Sequence, residues 1–286
     1  MRILVYNYSH HGSTQAMYLA RTFHSLEGCE TNIFDNRTSL YDAYDTFNPD
    51  YVITNGSINL NDLLFYSKNV DKSIGHLFNI DYLDEQNLNS MNSYVKENDI
   101  DCKFFFGVKE APSKIKLCKP YLRIPNAVDD TTSFSEEFDF SIDTAMVLGD
   151  DKEFDYQESL HTFNCYGMKE SKADIQIPCI NFQQLYRCYN RIIFRNPPGN
   201  YVNQTLIEAL YFANNVYIEG SDYVVKEVNK MFGTQHDFSV SGNKEENTRT
   251  IQEIKEKIRQ SHLPINRVKS MLSQLKGSYE ILQGIK

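Results

Sequence analysis

Residues 191–220 read RIIFRNPPGNYVNQTLIEALYFANNVYIEG and contain the pattern that decides the fold. Arg191–Phe194 predicts a short buried strand, and Val216–Ile218 predicts the next one. Between them, two prolines and a glycine form a loop, and apolar residues at helical spacing predict a helix that begins near Val202. The start of such a helix presents unpaired N–H groups and a positive dipole end, which suits a phosphate. Glu208, in the second helical turn, places a carboxylate within reach of a sugar hydroxyl beside that phosphate.

The same stretch resembles the nucleotide-sugar half-site of GT-B glycosyltransferases. The resemblance rests on the sequence NQTLIEAL at 203–210, followed by a strand. In that family the helix glutamate binds the ribose, and amides at the helix start face the diphosphate. The resemblance therefore implies a ribose contact for Glu208 and diphosphate-side contacts for Asn203, Gln204 and Thr205. The alternative is that Glu208 is only a solvated helix position, since strand–loop–helix units are common.

The size and composition of the chain are those of an ordinary folded protein. Its 286 residues suffice for two modest domains, and its content of hydrophobic (41%) and charged (23%) residues is typical of soluble proteins. No apolar run approaches the roughly 20 residues of a membrane span. Arg2 leads directly into an apolar strand rather than a signal peptide, so a cytoplasmic protein is expected, in the host cytoplasm if the gene is phage-borne.

The cysteines and the net charge exclude further classes of function. The six cysteines are scattered, with no CxxC pair and no histidine at ligand spacing, so we expect reduced thiols and no metal site. The net charge of −9 argues against a protein whose whole surface binds nucleic acid. It leaves room for a local basic groove.

The N-terminal residues predict a Rossmann-like domain. Met1–Asn7 is a dense apolar strand, Gln15–Leu26 has the apolar spacing of a helix, and Thr31–Phe34 predicts the second strand. Ligands of such folds bind at the carboxyl ends of the strands, and the missing GxGxxG fingerprint argues against NAD and a Rossmann-type oxidoreductase. The opening is similar to the first strand and glycine loop of GT-B enzymes, which implies that Gly12 lies over the sugar and diphosphate. The two histidines beside it are interpreted as loop residues outside the chemistry.

Two further segments resemble the phage DNA β-glucosyltransferases within the GT-B group. They are NGSIN at 55–59 and LFNID at 77–81, each at the end of a predicted strand. In those enzymes an aspartate just after the matching strand is the catalytic base, which implies that role for Asp81. The spacing differs by one residue, so Asp84 and Glu85 are alternatives. All three acids could instead cap the helix that follows, as carboxylates readily do.

The expected architecture is α/β, with two Rossmann-like domains facing each other across a cleft in the GT-B manner. LRIPNAVD at 122–129 resembles the segment at which many GT-B enzymes pass from the first domain to the second. The resemblance implies an acceptor-side domain at residues 1–140 and a nucleotide-sugar-binding domain at residues 141–286. The last helix belongs to the second domain in sequence and could pack back on the first.

The resemblance also implies ligand contacts in the second domain. Its first loop contacts the diphosphate in the family, and a later strand end reads the nucleobase. The phage enzymes have arginines where this chain has Glu153, Gln157 and Thr205. Lys152 and Arg195 are therefore the candidates for neutralising the diphosphate, because a departing diphosphate needs cations or donors preset where charge develops. The implied loop and nucleobase contacts are Gly149, Asp151, Lys152 and Ile177.

Together these resemblances imply an enzyme that moves a sugar from a nucleotide-sugar, most simply a UDP-sugar, to an acceptor hydroxyl. Asp81 would be the base of an inverting displacement, for which Mg²⁺ is compatible but not required. The Lys103–Arg123 segment is basic with interleaved aromatic residues, which favours a 5-hydroxymethylated pyrimidine in phage double-stranded DNA as acceptor. Its lysines could equally form a solvated face, and its phenylalanines are expected in the core.

Two alternatives remain open at the level of sequence. The acidic net charge favours a glycan or small-molecule acceptor over DNA. The missing phosphate arginines suggest a non-catalytic module that only binds a nucleotide-sugar.

Overall fold

The computed structural model divides the chain into two compact units. The first unit combines Met1–Ala127 with the C-terminal segment that begins at Pro264, and the second unit is Val128–Leu263. The structure describes residues 1–8, 14–56, 58–59, 62, 75–81, 83–107, 115–128, 145–149, 160–164, 175–176, 186–187, 189, 191–195, 197 and 202–276.

The described chain contains eleven strands and seven helices. The strands are β1 (Arg2–Asn7), β2 (Glu30–Asp35), β3 (Tyr51–Asn55), β4 (Gly75–Asn79), β5 (Lys103–Phe106), β6 (Tyr121–Arg123), β7 (Ala145–Gly149), β8 (Leu160–Asn164), β9 (Ile175–Gln176), β10 (Ile192–Arg195) and β11 (Val216–Glu219). The helices are α1 (Thr14–His24), α2 (Leu40–Phe47), α3 (Glu85–Glu97), α4 (Gln204–Phe212), α5 (Asp222–Phe232), α6 (Lys244–Ser261) and α7 (Pro264–Lys276). Within these residues, no helix is long and apolar enough to cross a lipid bilayer.

The first unit is built on a six-stranded parallel sheet in the order β2-β1-β3-β4-β5-β6. Helices α1 and α7 cover one face, where Phe23 and Met271 are fully buried against the sheet. Helices α2 and α3 cover the other face, through side chains such as Leu40 and Val95. Because both faces are covered, the strands need near-continuous apolar residues, which is the pattern of Met1–Asn7.

The second unit has a separate five-stranded parallel sheet in the order β11-β10-β7-β8-β9. Numbered within the unit, this order reads 3-2-1-4-5 from its β9 edge, the doubly wound order of dinucleotide-binding folds. Its main core joins β7, β10 and β11 to α4, α5 and α6. The two parallel sheets confirm the predicted α/β class.

The predicted boundary at residues 140 and 141 stays a prediction, since residues 129–144 lie outside the described part. The division between the units falls after Ala127, within the segment LRIPNAVD. Val128 is fully buried in the core of the second unit. The chain returns to the first unit at α7, whose Val268 and Leu272 are buried against β1 and α1.

The side chain of Asn247 hydrogen-bonds α6 to β11, an edge strand of the second unit's sheet. Its side chain is buried, its Nδ2 donates to the Val216 carbonyl at 2.9 Å, and its Oδ1 accepts from the Val216 N–H at 3.3 Å. The same amide lies 3.1 Å from His236 Nε2. One side chain therefore satisfies both backbone groups of the first residue of β11.

We expect Asn247→Ala to lower the free energy of unfolding by about 2 kcal/mol, because it leaves buried backbone groups of Val216 without these partners. Urea denaturation measures the change. Asn214→Ala, at an exposed position just before β11, is the matched control and should change stability by less than about 0.5 kcal/mol. Equal effects of the two substitutions would contradict a stabilising role for the hydrogen bonds between Asn247 and Val216.

Candidate functional site

Each sheet has one switch point, the place at which its strand order reverses. In open α/β sheets, ligands bind outside the carboxyl ends of the strands at the switch point. In the second unit the reversal lies between β7 and β10, whose last residues Gly149 and Arg195 are paired in register. In the first unit it lies between β1 and β3, whose last residues Asn7 and Asn55 are paired. In each unit, the paired strand ends at the switch point define the candidate site.

The helix that follows β10 begins as the sequence predicts. Asn203 is the N-cap of α4, and its Oδ1 accepts from the Leu206 N–H at 2.8 Å. This bond satisfies one of the N–H groups that a helix start leaves without an intrahelical partner. Thr205, in the first turn, has its carbonyl bound by the Tyr186 hydroxyl at 3.3 Å.

Glu208 is not the solvated helix position that the alternative interpretation requires. Its side chain is buried, with 7% of the residue exposed, and its Oε1 accepts from Gln204 Nε2 at 2.6 Å. Gln204 and Glu208 lie one helical turn apart, so the amide fixes the orientation of the carboxylate. The structure thus places a buried, oriented carboxylate near the start of the helix that follows β10, and its ribose contact stays a prediction.

Arg195 has a partner that the sequence did not indicate. Its Nε donates to Glu219 Oε2 at 3.0 Å, which joins the ends of β10 and β11 in an ion pair. Part of the arginine charge is therefore neutralised within the protein. Any role of Arg195 at a diphosphate has to be shared with this glutamate.

An open groove of about 820 Å³ starts at the end of β11, beside Glu219. Its size is within the range of small-molecule sites. It runs between the first turns of α5 and residues 237–241, and acids outnumber cations along it. The lining residues are Ile218, Glu219, Gly220, Ser221, Asp222, Val225, Lys226, Asp237, Ser239, Val240 and Ser241.

Several residues named from the sequence lie outside the part of the chain that the structure describes. The described site residues of the second unit are Gly149, Arg195, Asn203, Gln204, Thr205 and Glu208. Gly12, Asp151, Lys152 and Ile177 lie outside the described residues, and so do Glu153 and Gln157. Their roles stay predictions.

Asp81 is the second residue after β4, and its side chain is fully buried, at 0% exposure. Its Oδ2 accepts from the Gly107 N–H at 2.7 Å, and its own N–H donates to Asn79 Oδ1 at 2.9 Å. A Cβ added to Gly107 would lie 3.0 Å from Asp81 Oδ2 and 3.3 Å from both Arg267 Nη2 and Asn126 Oδ1. Asp81 is thus part of a buried polar cluster that packs closely against Gly107.

Arg267 brings α7 into this cluster. Its Nη1 donates to Gln15 Oε1 at 2.7 Å and to Asn126 Oδ1 at 2.8 Å, and its guanidinium lies 5.8 Å from the Phe105 ring centre. These bonds join α1 and the segment after β6 to the C-terminal helix. A hydroxyl on an acceptor could reach Asp81 only if this cluster opens.

The two alternative acids have different surroundings. Asp84 is the N-cap of α3: its Oδ1 accepts from the Asn87 N–H at 2.7 Å and its Oδ2 from Asn87 Nδ2 at 3.0 Å. Glu85 lies in the first turn of the same helix. The capping interpretation therefore applies to Asp84, whereas Asp81 bonds across the sheet to the end of β5.

A second carboxylate lies at the switch point of the first unit, and sequence reasoning missed it. The Tyr8 hydroxyl donates to Asp62 Oδ2 at 2.5 Å, and the Tyr8 N–H donates to the Asn55 carbonyl at 2.9 Å. Asn55 Nδ2 donates to Asn7 Oδ1 at 3.0 Å, which links the ends of β1 and β3. The available signal was the spacing Asn59-x-x-Asp62, since Asn59 Oδ1 accepts from the Asp62 N–H at 2.9 Å.

The glycine of the NGSIN segment is needed at this place. Gly56 has φ +86°, and a Cβ there would lie 3.2 Å from the Tyr8 Cβ. Only glycine combines this backbone conformation with so close an approach to Tyr8. The loop after β3 therefore packs directly against the residue that follows β1.

Two of the described lysines of the basic segment have partners within the protein. Lys103 Nζ donates to the Gln274 carbonyl in α7, and Lys119 Nζ lies 3.8 Å from Asp99 Oδ1. Phe104–Phe106 is buried, as expected for core residues. Lys116, Tyr121 and Arg123 are exposed, and Lys109 and Lys114 lie outside the described residues.

The comparisons with known proteins bear on the fold. No protein-family model matches the chain, and no curated protein matches its sequence. The crystal structure of the glycosyltransferase SnogD from Streptomyces nogalater is similar to it, with a TM-score of 0.52 and 9% sequence identity, covering 96% of this chain and 99% of that chain. At so low an identity the likeness is one of fold. It confirms a glycosyltransferase fold, whereas the arrangement of two lobes facing a cleft stays a prediction.

Proposed function

We propose that this protein is a nucleotide-sugar-dependent glycosyltransferase. The observation on which the proposal rests is the buried Glu208, oriented by Gln204 near the start of the helix after a switch-point strand. The glycosyltransferase fold and the strand order of the second unit support the same class. We assign the donor to the second unit, with the ribose on Glu208.

The donor in this proposal is a UDP-sugar whose diphosphate lies at the start of α4. Asn203, Gln204 and Thr205 provide the helix-start contacts, and Gly149 allows close approach of the backbone of β7. Arg195 and Lys152 supply positive charge, with Arg195 restrained by Glu219. The further contacts implied by the resemblance are Gly12, Asp151 and, at the nucleobase, Ile177.

The reaction we propose is an inverting displacement. A carboxylate of the first unit takes the proton of an acceptor hydroxyl as its oxygen attacks the anomeric carbon, and the nucleoside diphosphate leaves with the electron pair. Base catalysis contributes about 10²–10⁴-fold to such a step, and orientation and charge stabilisation supply the rest. Asp81 is the base that the resemblance implies. Mg²⁺ is compatible with this chemistry but not required.

For the acceptor we favour a 5-hydroxymethylated pyrimidine in double-stranded DNA. The exposed Lys116, Tyr121 and Arg123 are described residues able to contact a phosphate backbone. The target base would have to turn out of the duplex to meet the carboxylate. A glycan or small-molecule acceptor is favoured instead by the net charge of −9 and by the internal contacts of Lys103 and Lys119.

A non-catalytic nucleotide-sugar-binding module is the second candidate. It is favoured by the ion pair of Arg195 with Glu219, which reduces the charge available to a departing diphosphate. Such a module would bind UDP-sugars without releasing UDP from them.

Mass spectrometry of hydroxymethylcytosine-containing duplex DNA, after incubation with a panel of sugar nucleotides, tests the proposal. We expect a mass gain of one sugar per modified base for one donor, with loss of activity as salt rises because phosphate contacts release counterions. UDP release without a DNA mass gain would indicate another acceptor. UDP binding without any release would indicate the binding module, and absence of both would contradict a glycosyltransferase.

A further inference from the structure

Asp62 and Tyr8 form a carboxylate–phenol pair at the place where the first unit is expected to receive a ligand. Tyr8 is the first residue after β1, and its hydroxyl reaches Asp62 Oδ2 at 2.5 Å. Both side chains are half-buried rather than closed off. The pair is joined to the ends of β1 and β3 through Asn55, so it lies at the switch point of the sheet.

The position of the Tyr8 ring is fixed from two sides. The Tyr6 ring packs edge-on against it with centres 4.8 Å apart, and Gly56 approaches its Cβ from the loop after β3. The Tyr6 hydroxyl in turn donates to the Thr38 carbonyl at 2.8 Å. Tyr8 is therefore a rigid donor, which orients the Asp62 carboxylate without using all of its lone pairs, since a carboxylate has about four acceptor sites.

The electrostatic surroundings of Asp62 suit a proton acceptor. Burial raises the pKa of the Asp62 carboxyl, and the hydrogen bonds from Tyr8 and Asn59 oppose that rise. The charge of Asp62 also acts on Tyr6, whose pKa is raised to about 12 by burial and by the charges of Asp62 and Asp35. The Tyr6 phenol therefore stays neutral at pH 7, and a partly desolvated carboxylate is a better base than an exposed one.

Asp81 and Asp84 fit the role of the base less well. Asp81 has 0% exposure, and its Oδ2 is occupied by the Gly107 N–H. Both oxygens of Asp84 are engaged in capping α3. Asp62 is accessible, and it lies at the end of the sheet where the ligand is expected.

We propose that Asp62 is the catalytic base for the acceptor hydroxyl, with Tyr8 as its positioning residue. The inference rests on the proposed function and names the acceptor-side group for it. In the step, the acceptor O–H proton passes to the Asp62 carboxylate and the acceptor oxygen bonds to the anomeric carbon. The bond from that carbon to the diphosphate oxygen breaks, and the nucleoside diphosphate leaves with the bonding electrons. Asp81 then has a structural role, holding Gly107 and the end of β5.

UDP release from UDP-glucose, with a hydroxymethylcytosine duplex and with water alone as acceptor, tests the base. We expect Asp62→Asn to lower kcat by 100-fold or more and to leave the Kd for UDP within about twofold. Asp35→Asn is the matched control, an aspartate at the end of the neighbouring strand β2 that pairs with Arg37. It should leave kcat within about twofold.

The pH profile separates a catalytic pair from a structural one. Tyr8→Phe removes a hydrogen bond that lowers the pKa of Asp62, so the pKa rises and the acidic limb of kcat/KM should move to higher pH. If the acidic limb of the Tyr8→Phe profile does not move, the inference is overturned. Tyr8→Phe also tests the role of Asp62 if Asp62→Asn does not fold.

The remaining outcomes separate this inference from the proposed function. If the unaltered protein turns over UDP-glucose and Asp62→Asn retains at least a third of its kcat, Asp62 is not the base while the glycosyltransferase stands. If the unaltered protein neither binds UDP nor releases it from UDP-glucose, the proposed function fails, and the role of Asp62 fails with it.

Discussion

Glu208→Gln is expected to weaken UDP binding by about 10- to 150-fold. A hydrogen bond to a charged group contributes about 1.5–3 kcal/mol, and the substitution removes the charge while keeping the shape of the side chain. Gln204 can still donate to the remaining side-chain oxygen, as it does to Glu208 Oε1 at 2.6 Å, so the helix should keep its structure. Calorimetric titration with UDP measures the loss, and thermal melting checks the fold.

Glu227→Gln is the matched control, because Glu227 lies on α5 and pairs with Lys230 one turn away. The Glu227→Gln variant should bind UDP with the same affinity as the unaltered protein. If the unaltered protein binds UDP and Glu208→Gln binds it equally well, Glu208 makes no ribose contact and the donor site has to be sought elsewhere, for instance in the groove beside Glu219.

Lys255→Met should raise the free energy of unfolding by up to about 3 kcal/mol at pH 7. Lys255 is 8% exposed on α6. Burial, followed by the charges of Arg259 and Arg187, lowers its pKa from 10.5 to about 8. Each unit of pKa is worth about 1.4 kcal/mol, so keeping this side chain charged in the folded state is costly.

The direction of the pKa shift determines how the effect of Lys255→Met on the free energy of unfolding changes with pH. The pKa of Lys255 is lower in the folded than in the unfolded protein, so the penalty is full below about pH 8 and disappears as pH rises towards 10.5. Urea denaturation at pH 7 and pH 10 should show a large difference between Lys255→Met and the unaltered protein at the lower pH and a small one at the higher. Lys226→Met, at an exposed position, is the control. An equal difference at both pH values would contradict a buried ammonium.

Local patterns were sufficient to predict the centre of the second unit. The strand at Arg191–Phe194, the helix near Val202 and the strand at Val216–Ile218 correspond to β10, α4 and β11 within two residues. Apolar runs, a proline–glycine loop and helical spacing are all properties of neighbouring residues. Helix α2 was not predicted, because it is short and only Leu40, Ala43 and Phe47 of its residues are buried.

The surroundings of the site residues could not be predicted in the same way. Asp81 was named from a motif, but its neighbours Gly107, Asn126 and Arg267 come from three distant segments. Glu219 becomes the partner of Arg195 only once β10 and β11 are paired in register. These contacts depend on tertiary packing, which residue spacing does not encode.

The return of the chain to the first unit at α7 has a consequence during synthesis. N-terminal domains ordinarily fold first as they leave the ribosome, at about 5–20 residues per second. Here Val268, Met271 and Leu272 complete the core of the first unit, yet they are translated after all of Val128–Leu263. During synthesis the first unit therefore lacks α7 for on the order of ten seconds. In that interval part of an apolar face of its sheet is uncovered. We expect the second unit to reach its native state first, and chaperones to bind the first unit during that interval.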